Sequence, residues 1–217
     1  MKTKKKINVS FLTDSKNDWF DKYIRKLKLS LPKKYRYAFS SNFKKINNCD
    51  IVFILNYTRI LPESFLNKNK LNLVIHSSNL PKDKGFSPLN YQVLKGKNII
   101  ETCIIEAVKK VDSGNIFLKK KLKLNGTELS EELRNKQANV MISMINNFLE
   151  KYPKLKSFKQ SGKSSFNNKR TKLDSEIDIK KSLKSQFNLL RICDNEHYPS
   201  YFHYKKRKYV LKIYKGD

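Results

Sequence analysis

An uninterrupted apolar run at 51–55 is the feature of this sequence that most restricts its fold. A strand with no polar position is buried on both faces, as in a sheet that helices cover on both sides. The segment 20–27 has apolar residues at the spacings of an amphipathic helix. Further strand patterns lie at 7–12, 34–39, 71–76, 101–105 and 116–124. Strands that alternate with helices predict an α/β fold, with a mostly parallel sheet flanked by helices.

The second half of the chain divides where its composition changes. A helix pattern runs from Thr127 to Glu150, and the stretch 151–170 is rich in Lys, Ser, Asn and Gly. Asp174 is expected to cap a second helix, and a strand pattern follows at 209–213. The predicted units are a first domain at 1–150, a linker or mobile loop at 151–173, and a small C-terminal subdomain of one helix and a strand at 174–217.

The net charge and the cysteines limit the kinds of partner and site that this protein can have. The 47 Lys and Arg against 19 Asp and Glu give a formal net charge of +28, which attracts phosphate groups. Solvated lysines explain the same charge, so it decides no function. Three cysteines without a C-x-x-C pair predict neither a disulfide nor a zinc site, and the isolated histidines predict no other metal site. Because no signal peptide or membrane-span pattern is present, we expect a cytoplasmic protein of unknown oligomeric state.

The first block that can carry chemistry covers 72–88. An apolar strand pattern ends on His76, and a loop shaped by Pro81, Gly85 and Pro88 follows. Ligands of α/β sheets bind beyond the carboxyl ends of strands. A histidine there can accept or donate a proton during a reaction, although an isolated histidine is more often structural.

The second block is Val111 to Ile116. Asp112 precedes a turn at Gly114, immediately before a strand pattern. Alone, this arrangement is typical of a plain turn in which the aspartate bonds its own backbone.

Together the two blocks resemble the folate-dependent formyltransferases, which include methionyl-tRNA formyltransferase and the bacterial sugar-nucleotide N-formyltransferases. The family pattern is His-x-Ser-x-Leu-Pro, a Gly and a Pro soon after, and an Asp-x-Gly farther on. The matching residues are His76, Ser78, Leu80, Pro81, Gly85, Pro88, Asp112 and Gly114, and Asp112 follows His76 by 36 residues. Tyr57-Thr-Arg-Ile-Leu-Pro62 is similar to the family's pterin-binding segment. The resemblance covers 1–150 and implies a Rossmann-like catalytic domain.

The resemblance also implies the cosubstrate and the roles of particular residues. The cosubstrate is N10-formyltetrahydrofolate, with tetrahydrofolate as the product. His76 and Asp112 would transfer and orient the proton, with Ser78 and Asn72 as further candidate catalytic groups. The expected cosubstrate-binding residues are Tyr57, Arg59, Ile60, Leu61, Val111 and Asp112. The expected acceptor-binding residues are Trp19, Lys82, Lys84 and Phe86, of which the lysines would meet phosphates or folate glutamates.

Val74 departs from the family pattern. The family has an asparagine two residues before the histidine, as the donor to the developing oxyanion, and valine has no donor. Loss of one such donor typically costs about 10²–10³ in rate. Three explanations stay open: another donor (Asn72, Asn79 or Ser78) reaches the site, protonated His76 stabilises the oxyanion itself, or the chain is a slow or inactive relative.

The details of the first block look closer to the bacterial enzymes that formylate nucleotide-linked amino-dideoxy sugars for lipopolysaccharide and other surface glycans than to the tRNA enzyme. The tail Asn188 to Phe202 is similar to a C-terminal segment of the sugar enzymes, and 217 residues leave no room for the larger barrel of the tRNA enzyme. The expected acceptor is therefore a nucleotide-linked amino sugar. The alternatives are tRNA or another amine, a catalytically weakened folate-binding relative, and a generic basic nucleic-acid module.

Overall fold

The computed structural model describes residues 6–14 and 18–216. Its strands are β1 Asn8–Thr13, β2 Arg36–Ser40, β3 Ile51–Leu55, β4 Asn72–His76, β5 Lys84–Gly85, β6 Ile99–Glu106, β7 Ile116–Lys123, β8 Phe166–Asn167, β9 Ser200–Tyr204 and β10 Arg207–Leu211. Its α-helices are α1 Asp21–Ser30, α2 Glu63–Leu66, α3 Pro88–Leu94, α4 Ser130–Lys151 and α5 Leu183–Ile192. Short 3-10 helices cover Asp18–Phe20, Phe43–Lys45 and Lys172–Ser175.

Six strands form the main sheet, in the order β2-β1-β3-β4-β6-β7. The pairs β1–β2, β1–β3 and β3–β4 are parallel, whereas β4–β6 and β6–β7 are antiparallel. The apolar run of β3 is buried at every position in the middle of the sheet. The prediction of an α/β fold with a mostly parallel sheet is confirmed, and the two antiparallel strands lie together on one side.

Helix α4 packs its apolar stripe on the sheet and closes the main core. Met141, Ile145 and Phe148 on this helix are buried together with Phe11 of β1 and Phe53 of β3. The ring of Phe148 meets that of Phe53 edge to face, with centroids 5.7 Å apart. α4 is 22 residues long, so its apolar residues can cover several strands of the sheet.

Two helix starts differ from the sequence-based expectation. Of the two candidate caps for α1, Asp14 instead accepts hydrogen bonds from Thr58, and Ser15 lies outside the described residues. Asp174 caps the 3-10 helix that contains it, and α5 begins later, where the Ser182 hydroxyl accepts from the Ser185 amide. Both aspartates were expected to cap α-helices, but Asp14 accepts from Thr58 and Asp174 accepts from Thr171 instead.

The segment 158–167, here called the strap, crosses the loops that follow β4 and β6. Phe158 exchanges main-chain hydrogen bonds with Ile116 at 2.8 and 2.9 Å. β8 then pairs in parallel with β5, so that Asn167 lies beside Gly85. The predicted linker therefore contains a segment bound to the sheet and to the loop after β4, while the domain boundaries remain a prediction.

The C-terminal elements are joined to the first half by a buried ion pair. The Arg191 guanidinium on α5 lies 3.3 Å from the Glu128 carboxylate, and both side chains are almost fully buried. Main-chain N–H groups of Asn125 and Gly126 and the Lys136 ammonium also donate to Glu128. The hairpin β9–β10 follows α5, where the sequence predicted a single strand.

No helix among residues 6–14 and 18–216 is both long and apolar enough to cross a membrane.

Candidate active site

The candidate site forms where β3 and β4 end. Parallel pairing of Ile54 with Val74 brings the carboxyl ends of these strands together. The segment 56–61 therefore leaves the sheet beside His76, the last residue of β4. This is the edge at which open α/β sheets bind ligands.

The His76 imidazole is held between two loops and is 5% exposed. Its Nε2 atom lies 2.8 Å from the main-chain oxygen of Asp83, and its Nδ1 atom lies 3.5 Å from Oδ2 of Asp112. The structure therefore brings together the two residues that the sequence pattern placed 36 positions apart. A separation of 3.5 Å is long for a hydrogen bond, so the Nδ1 side of the ring is the less tightly held one.

Asp112 reaches His76 because the turn after β6 folds back along the sheet. The end of β6 lies opposite Leu73, near the start of β4. Asp112 adopts φ 50°, in the left-handed region that Asp enters more readily than most side chains. Its Oδ2 atom accepts a hydrogen bond of 2.8 Å from the Gly85 amide, which joins the turn to the loop after β4.

Gly114 allows the turn to close against the end of β6. A Cβ atom at this position would lie 2.0 Å from the main-chain oxygen of Glu106 and 2.8 Å from its carbonyl carbon. No side chain fits there without moving the backbone. The glycine of the sequence motif is therefore required for the path that brings Asp112 to the imidazole.

The strap supplies contacts to the same turn that sequence reasoning missed. The Gln160 amide donates to the main-chain oxygens of Asp112 and Gly114 at 2.8 and 2.9 Å. Ser165 exchanges main-chain bonds with the loop after β4, donating to Pro81 and accepting from Lys84. A Lys-, Ser- and Asn-rich composition is typical of a loop and gives no sign of this role.

Two candidate donors near His76 have other partners. The Ser78 hydroxyl donates to the Lys82 carbonyl at 2.7 Å, and Asn79 is exposed and accepts from Lys119. Both side chains stabilise the loop, so the structure does not direct either toward the imidazole.

Asn72 and Val74 lie on the same face of β4 as His76, because alternate strand residues share a face. Asn72 is four residues away, about 13 Å along a strand, and its amide donates to Leu66 at 2.9 Å. The structure therefore does not bring Asn72 to the site. Val74 is the nearest neighbour on this face, and it packs against apolar clusters on both sides of the strand.

The segment proposed to bind the pterin is anchored by Asp14. The buried carboxylate accepts from the amide and hydroxyl of Thr58, and Arg59 lies 3.4 Å from it. The Arg59 guanidinium also stacks on the ring of Tyr57, 4.7 Å from its centroid. The Tyr57 hydroxyl is buried without a hydrogen-bond partner, and burial raises its pKa.

The remaining predicted residues differ in exposure. Lys82 is exposed, whereas Lys84 is buried and donates to the Ser113 hydroxyl at 2.9 Å. The Lys84 ammonium therefore stabilises the Asp112 turn and is not directed into solvent. Ile60, Val111 and Phe86 are exposed to 83%, 43% and 40%. Leu61 is half-buried, and Trp19 packs edge to face on Phe20 and Tyr23.

Comparison with known proteins identifies the family. The model of the formyl transferase family matches residues 5–147, and the chain belongs to this family. The methionyl-tRNA formyltransferase of Sulfurihydrogenibium sp. (strain YO3AOP1) is 28% identical over 153 residues, which cover 68% of this chain and 49% of that protein. The chain thus spans about half the length of the curated relatives that it matches.

Solved structures have the same fold along nearly the whole chain. A methionyl-tRNA formyltransferase from Clostridium thermocellum superposes with a TM-score of 0.83 at 23% identity, covering 97% of this chain and 94% of that one. A 4-N formyltransferase from Francisella tularensis superposes with a TM-score of 0.76 at 16% identity, covering 97% and 98%. At these identities the likeness establishes the fold.

Proposed function

We propose that this protein transfers a formyl group from N10-formyltetrahydrofolate to the amine of a nucleotide-linked amino sugar. The observation that carries the proposal is the buried His76 beside Asp112, at the ligand-binding edge of a formyl transferase fold. A histidine with a carboxylate partner in such a place is suited to general acid–base catalysis.

The segment 57–61 suits the cosubstrate. It leaves β3 without helical or strand hydrogen bonds, next to His76, and its irregular backbone can offer main-chain groups to a pterin ring. The orphaned Tyr57 hydroxyl is a further polar group that a ligand can satisfy. When bound, N10-formyltetrahydrofolate supplies the formyl carbon.

The protein's contribution to the reaction is to move one proton and to orient the groups. An amine that attacks a formyl carbon becomes positively charged and must release a proton. His76 accepts that proton and delivers it to the folate nitrogen as the bond between this nitrogen and the formyl carbon breaks, and Asp112 stabilises the positive charge of the imidazole between the two transfers. A positioned general acid or base typically contributes about 10²–10⁴ in rate.

The protonated imidazole also serves as the donor for the developing negative charge on the formyl oxygen. This assignment follows because Val74 has no donor, Ser78 donates elsewhere and Asn72 is distant. One group then has two roles, and the expected rate is below that of an enzyme with a separate asparagine donor.

The sugar acceptor is supported by the 76–88 loop. The loop sequence resembles that of the sugar enzymes, and exposed Lys82 and Phe86 offer a charge and a ring to a nucleotide-linked sugar.

A tRNA acceptor is the second candidate because of the relatives' names and the β9–β10 hairpin. The hairpin turn and strand present Lys205, Lys206, Arg207 and Lys208, and Tyr204 and Tyr209 beside them are 50% and 45% exposed. Basic groups with exposed rings suit RNA phosphates and bases.

The test is release of tetrahydrofolate with nucleotide-linked 3- and 4-amino-dideoxy sugars and, separately, with methionyl-tRNA. The formylated product is identified by mass spectrometry. We expect turnover with one sugar, loss of most of that turnover in His76→Asn, and normal turnover in the matched control His197→Asn, whose side chain is 71% exposed.

Two outcomes would change the proposal. Turnover with tRNA alone, steeply reduced by salt and by alanine at the four basic hairpin residues, would favour the second candidate. Binding of the folate without turnover on any amine would indicate a catalytically disabled relative.

A further inference from the structure

Asp83 makes the closest contact to His76 and is itself held by a second set of side chains. Its main-chain oxygen lies 2.8 Å from His76 Nε2. Its carboxylate accepts from the Gln92 amide at 2.6 Å on Oδ2 and from the Lys95 ammonium at 2.5 Å on Oδ1. Gln92 lies on α3, and Lys95 is the residue that ends this helix. We call Asp83, Gln92 and Lys95 the Asp83 clamp.

The clamp fixes an unusual backbone conformation. Asp83 has φ 56°, in the left-handed region, and it is only 4% exposed. Its amide donates to the Ser165 hydroxyl of the strap at 2.9 Å. Three hydrogen bonds, one from the Asp83 amide and one to each oxygen of its carboxylate, hold this residue and so fix the direction of its main-chain carbonyl.

The chemistry of the carbonyl determines which imidazole nitrogen carries a proton. A main-chain oxygen can only accept a hydrogen bond, so Nε2 of His76 must be the donor. In the neutral ring the other nitrogen, Nδ1, is then unprotonated. Nδ1 is the atom that faces Asp112 at 3.5 Å.

We propose that the Asp83 clamp is a positioning device that fixes His76 as the Nε2–H tautomer, so that the nitrogen which accepts the proton in catalysis is Nδ1, on the Asp112 side. The tautomer follows from the contacts alone, and its catalytic meaning rests on the proposed formyl transfer. Asp83, Gln92 and Lys95 touch no reacting atom and act through the position of one carbonyl group.

The clamp keeps its charge over a wide pH range. Burial alone would raise the pKa of Asp83, but the hydrogen bonds from Lys95 and Gln92 outweigh burial and lower it. The carboxylate therefore stays ionised, and both donors stay bound to it, at the pH at which an amine acceptor reacts.

The direct test is the 15N spectrum of the imidazole in protein labelled at histidine, with the His76 signals assigned from the His76→Asn variant. We expect the neutral ring of the wild type to be the Nε2–H form. Lys95→Met should give a mixture of tautomers, whereas Lys97→Met, an exposed lysine two positions away with no hydrogen bond to Asp83, should leave the Nε2–H form unchanged. An Nδ1–H form in the wild type, or equal spectra of the two lysine variants, would overturn the proposal.

A second pair of variants tests the carbonyl itself. Glycine adopts φ 56° freely but has no side chain to clamp, and asparagine tolerates this φ and keeps an acceptor for Gln92. We expect Asp83→Gly to lose the tautomer bias and to lower kcat at least about tenfold, within the range of a general base. Asp83→Asn keeps only one acceptor oxygen, so like Lys95→Met it should give a mixture of tautomers, with a kcat between those of Asp83→Gly and the wild type, and neither variant should change KM for the folate by more than about twofold.

The two levels of failure are distinguishable. A clamped Nε2–H ring without formyl transfer to any amine would remove the proposed function and leave the clamp intact. Formyl transfer with an unclamped ring, or with equal kcat in Asp83→Gly and Asp83→Asn, would leave the function intact and remove the clamp.

Discussion

At the scale of single residues, the site depends on one imidazole whose two nitrogens have different partners. The Nε2 contact at 2.8 Å is a firm hydrogen bond to a carbonyl, whereas the Nδ1 contact at 3.5 Å with Asp112 is long for a hydrogen bond. Val74, the neighbour of His76 on its face of β4, has no polar side-chain group. The imidazole is therefore the polar group at this end of that face.

Val74→Asn should increase kcat. Position 74 shares a face with His76 and is two residues from it, so an amide there restores a donor beside the formyl oxygen. An oxyanion donor typically contributes about 10²–10³ in rate, and we expect a gain of at least about tenfold, with a small loss of stability because Val74 packs between apolar clusters.

The measurement is kcat with the acceptor that gives turnover in the tetrahydrofolate-release assay, beside thermal unfolding of the same samples. Val74→Leu is the matched control, because it changes the packing without adding a donor. Unchanged or reduced kcat in a folded Val74→Asn protein would show that position 74 does not face the reacting oxygen.

Sequence reasoning found the residues whose role depends on a recognisable motif. It identified His76 and Asp112, and it noticed the valine where a donor was expected. It did not identify Asp83 or Gln160, because a carbonyl direction and an amide bonded to two main-chain oxygens have no pattern in the sequence. It also expected Lys84 to meet phosphates of the acceptor or folate glutamates, but this side chain is buried and donates to the Ser113 hydroxyl in the Asp112 turn.

At the scale of elements, the path of the turn after β6 determines whether the two site residues meet. The turn must return about four residues along β4, and it does so against the main chain of Glu106. Gly114 lies so close to the Glu106 carbonyl that no other residue fits at this point of the turn.

Gly114→Ala should destabilise the fold and abolish the site together. The new Cβ atom would lie 2.0 Å from the Glu106 oxygen, so either β6 or the turn must move. We expect a loss of about 3 kcal/mol or more in the free energy of unfolding, and loss of formyl transfer in the fraction that folds.

Urea unfolding and the activity assay on the same preparation measure both effects. Gly216→Ala is the control, because a Cβ atom there meets nothing within 4 Å. Equal stability of the two variants would contradict the close approach of the turn to β6.

The elements themselves were predictable where burial was periodic. β3, β4 and α4 appeared at nearly their observed positions, because their apolar patterns follow their burial. The start of α5 and the pairing of β8 were not predictable. A two-residue strand has no periodicity, and Asp174 has the capping preference of either a 3-10 or an α-helix.

At the scale of the whole molecule, a strongly basic chain keeps its few buried carboxylates heavily bonded. Glu128 accepts from two main-chain amides, from Lys136 and from Arg191, and it joins the start of α4 to α5. Burial alone would raise the pKa of Glu128, but these hydrogen bonds outweigh burial and lower it to about 2.

The fold should therefore lose stability in acid through Glu128. Because the pKa is lower in the folded state than the ordinary value of 4.5, the contribution is complete above about pH 4.5 and is lost as the pH falls toward 2. We expect about 3 kcal/mol of the wild-type free energy of unfolding to disappear across this window.

Glu128→Gln should be less stable than the wild type at neutral pH and should show a smaller decrease between pH 4.5 and 2. Denaturant unfolding at several pH values measures this, with Glu150→Gln, an exposed position on α4, as the control. Parallel pH profiles for the wild type and Glu128→Gln would show that this carboxylate is not the acid-sensitive group.

Much of the fold follows from apolar patterns, and the class of chemistry follows from a motif. The charge of +28 contributed least, since the sequence cannot distinguish lysines such as Lys84, which stabilise the interior, from those in solvent. Under the proposed function, we expect the exposed surface around 82–86 or the hairpin to select the acceptor, and exposed positions are the ones that an apolar pattern constrains least.

The strap has a consequence for how such chains diverge. Its contacts to the site loops use main-chain atoms at Phe158, Ser165 and Asn167, and side-chain atoms at Gln160 and Ser165. We therefore expect natural selection to act on the length and path of 158–167 more than on the identity of most of its residues. In related proteins we expect the composition of this stretch to vary widely at most positions, whereas insertions should be rare. Proline should be absent at 165, because the N–H of Ser165 donates to the Pro81 carbonyl.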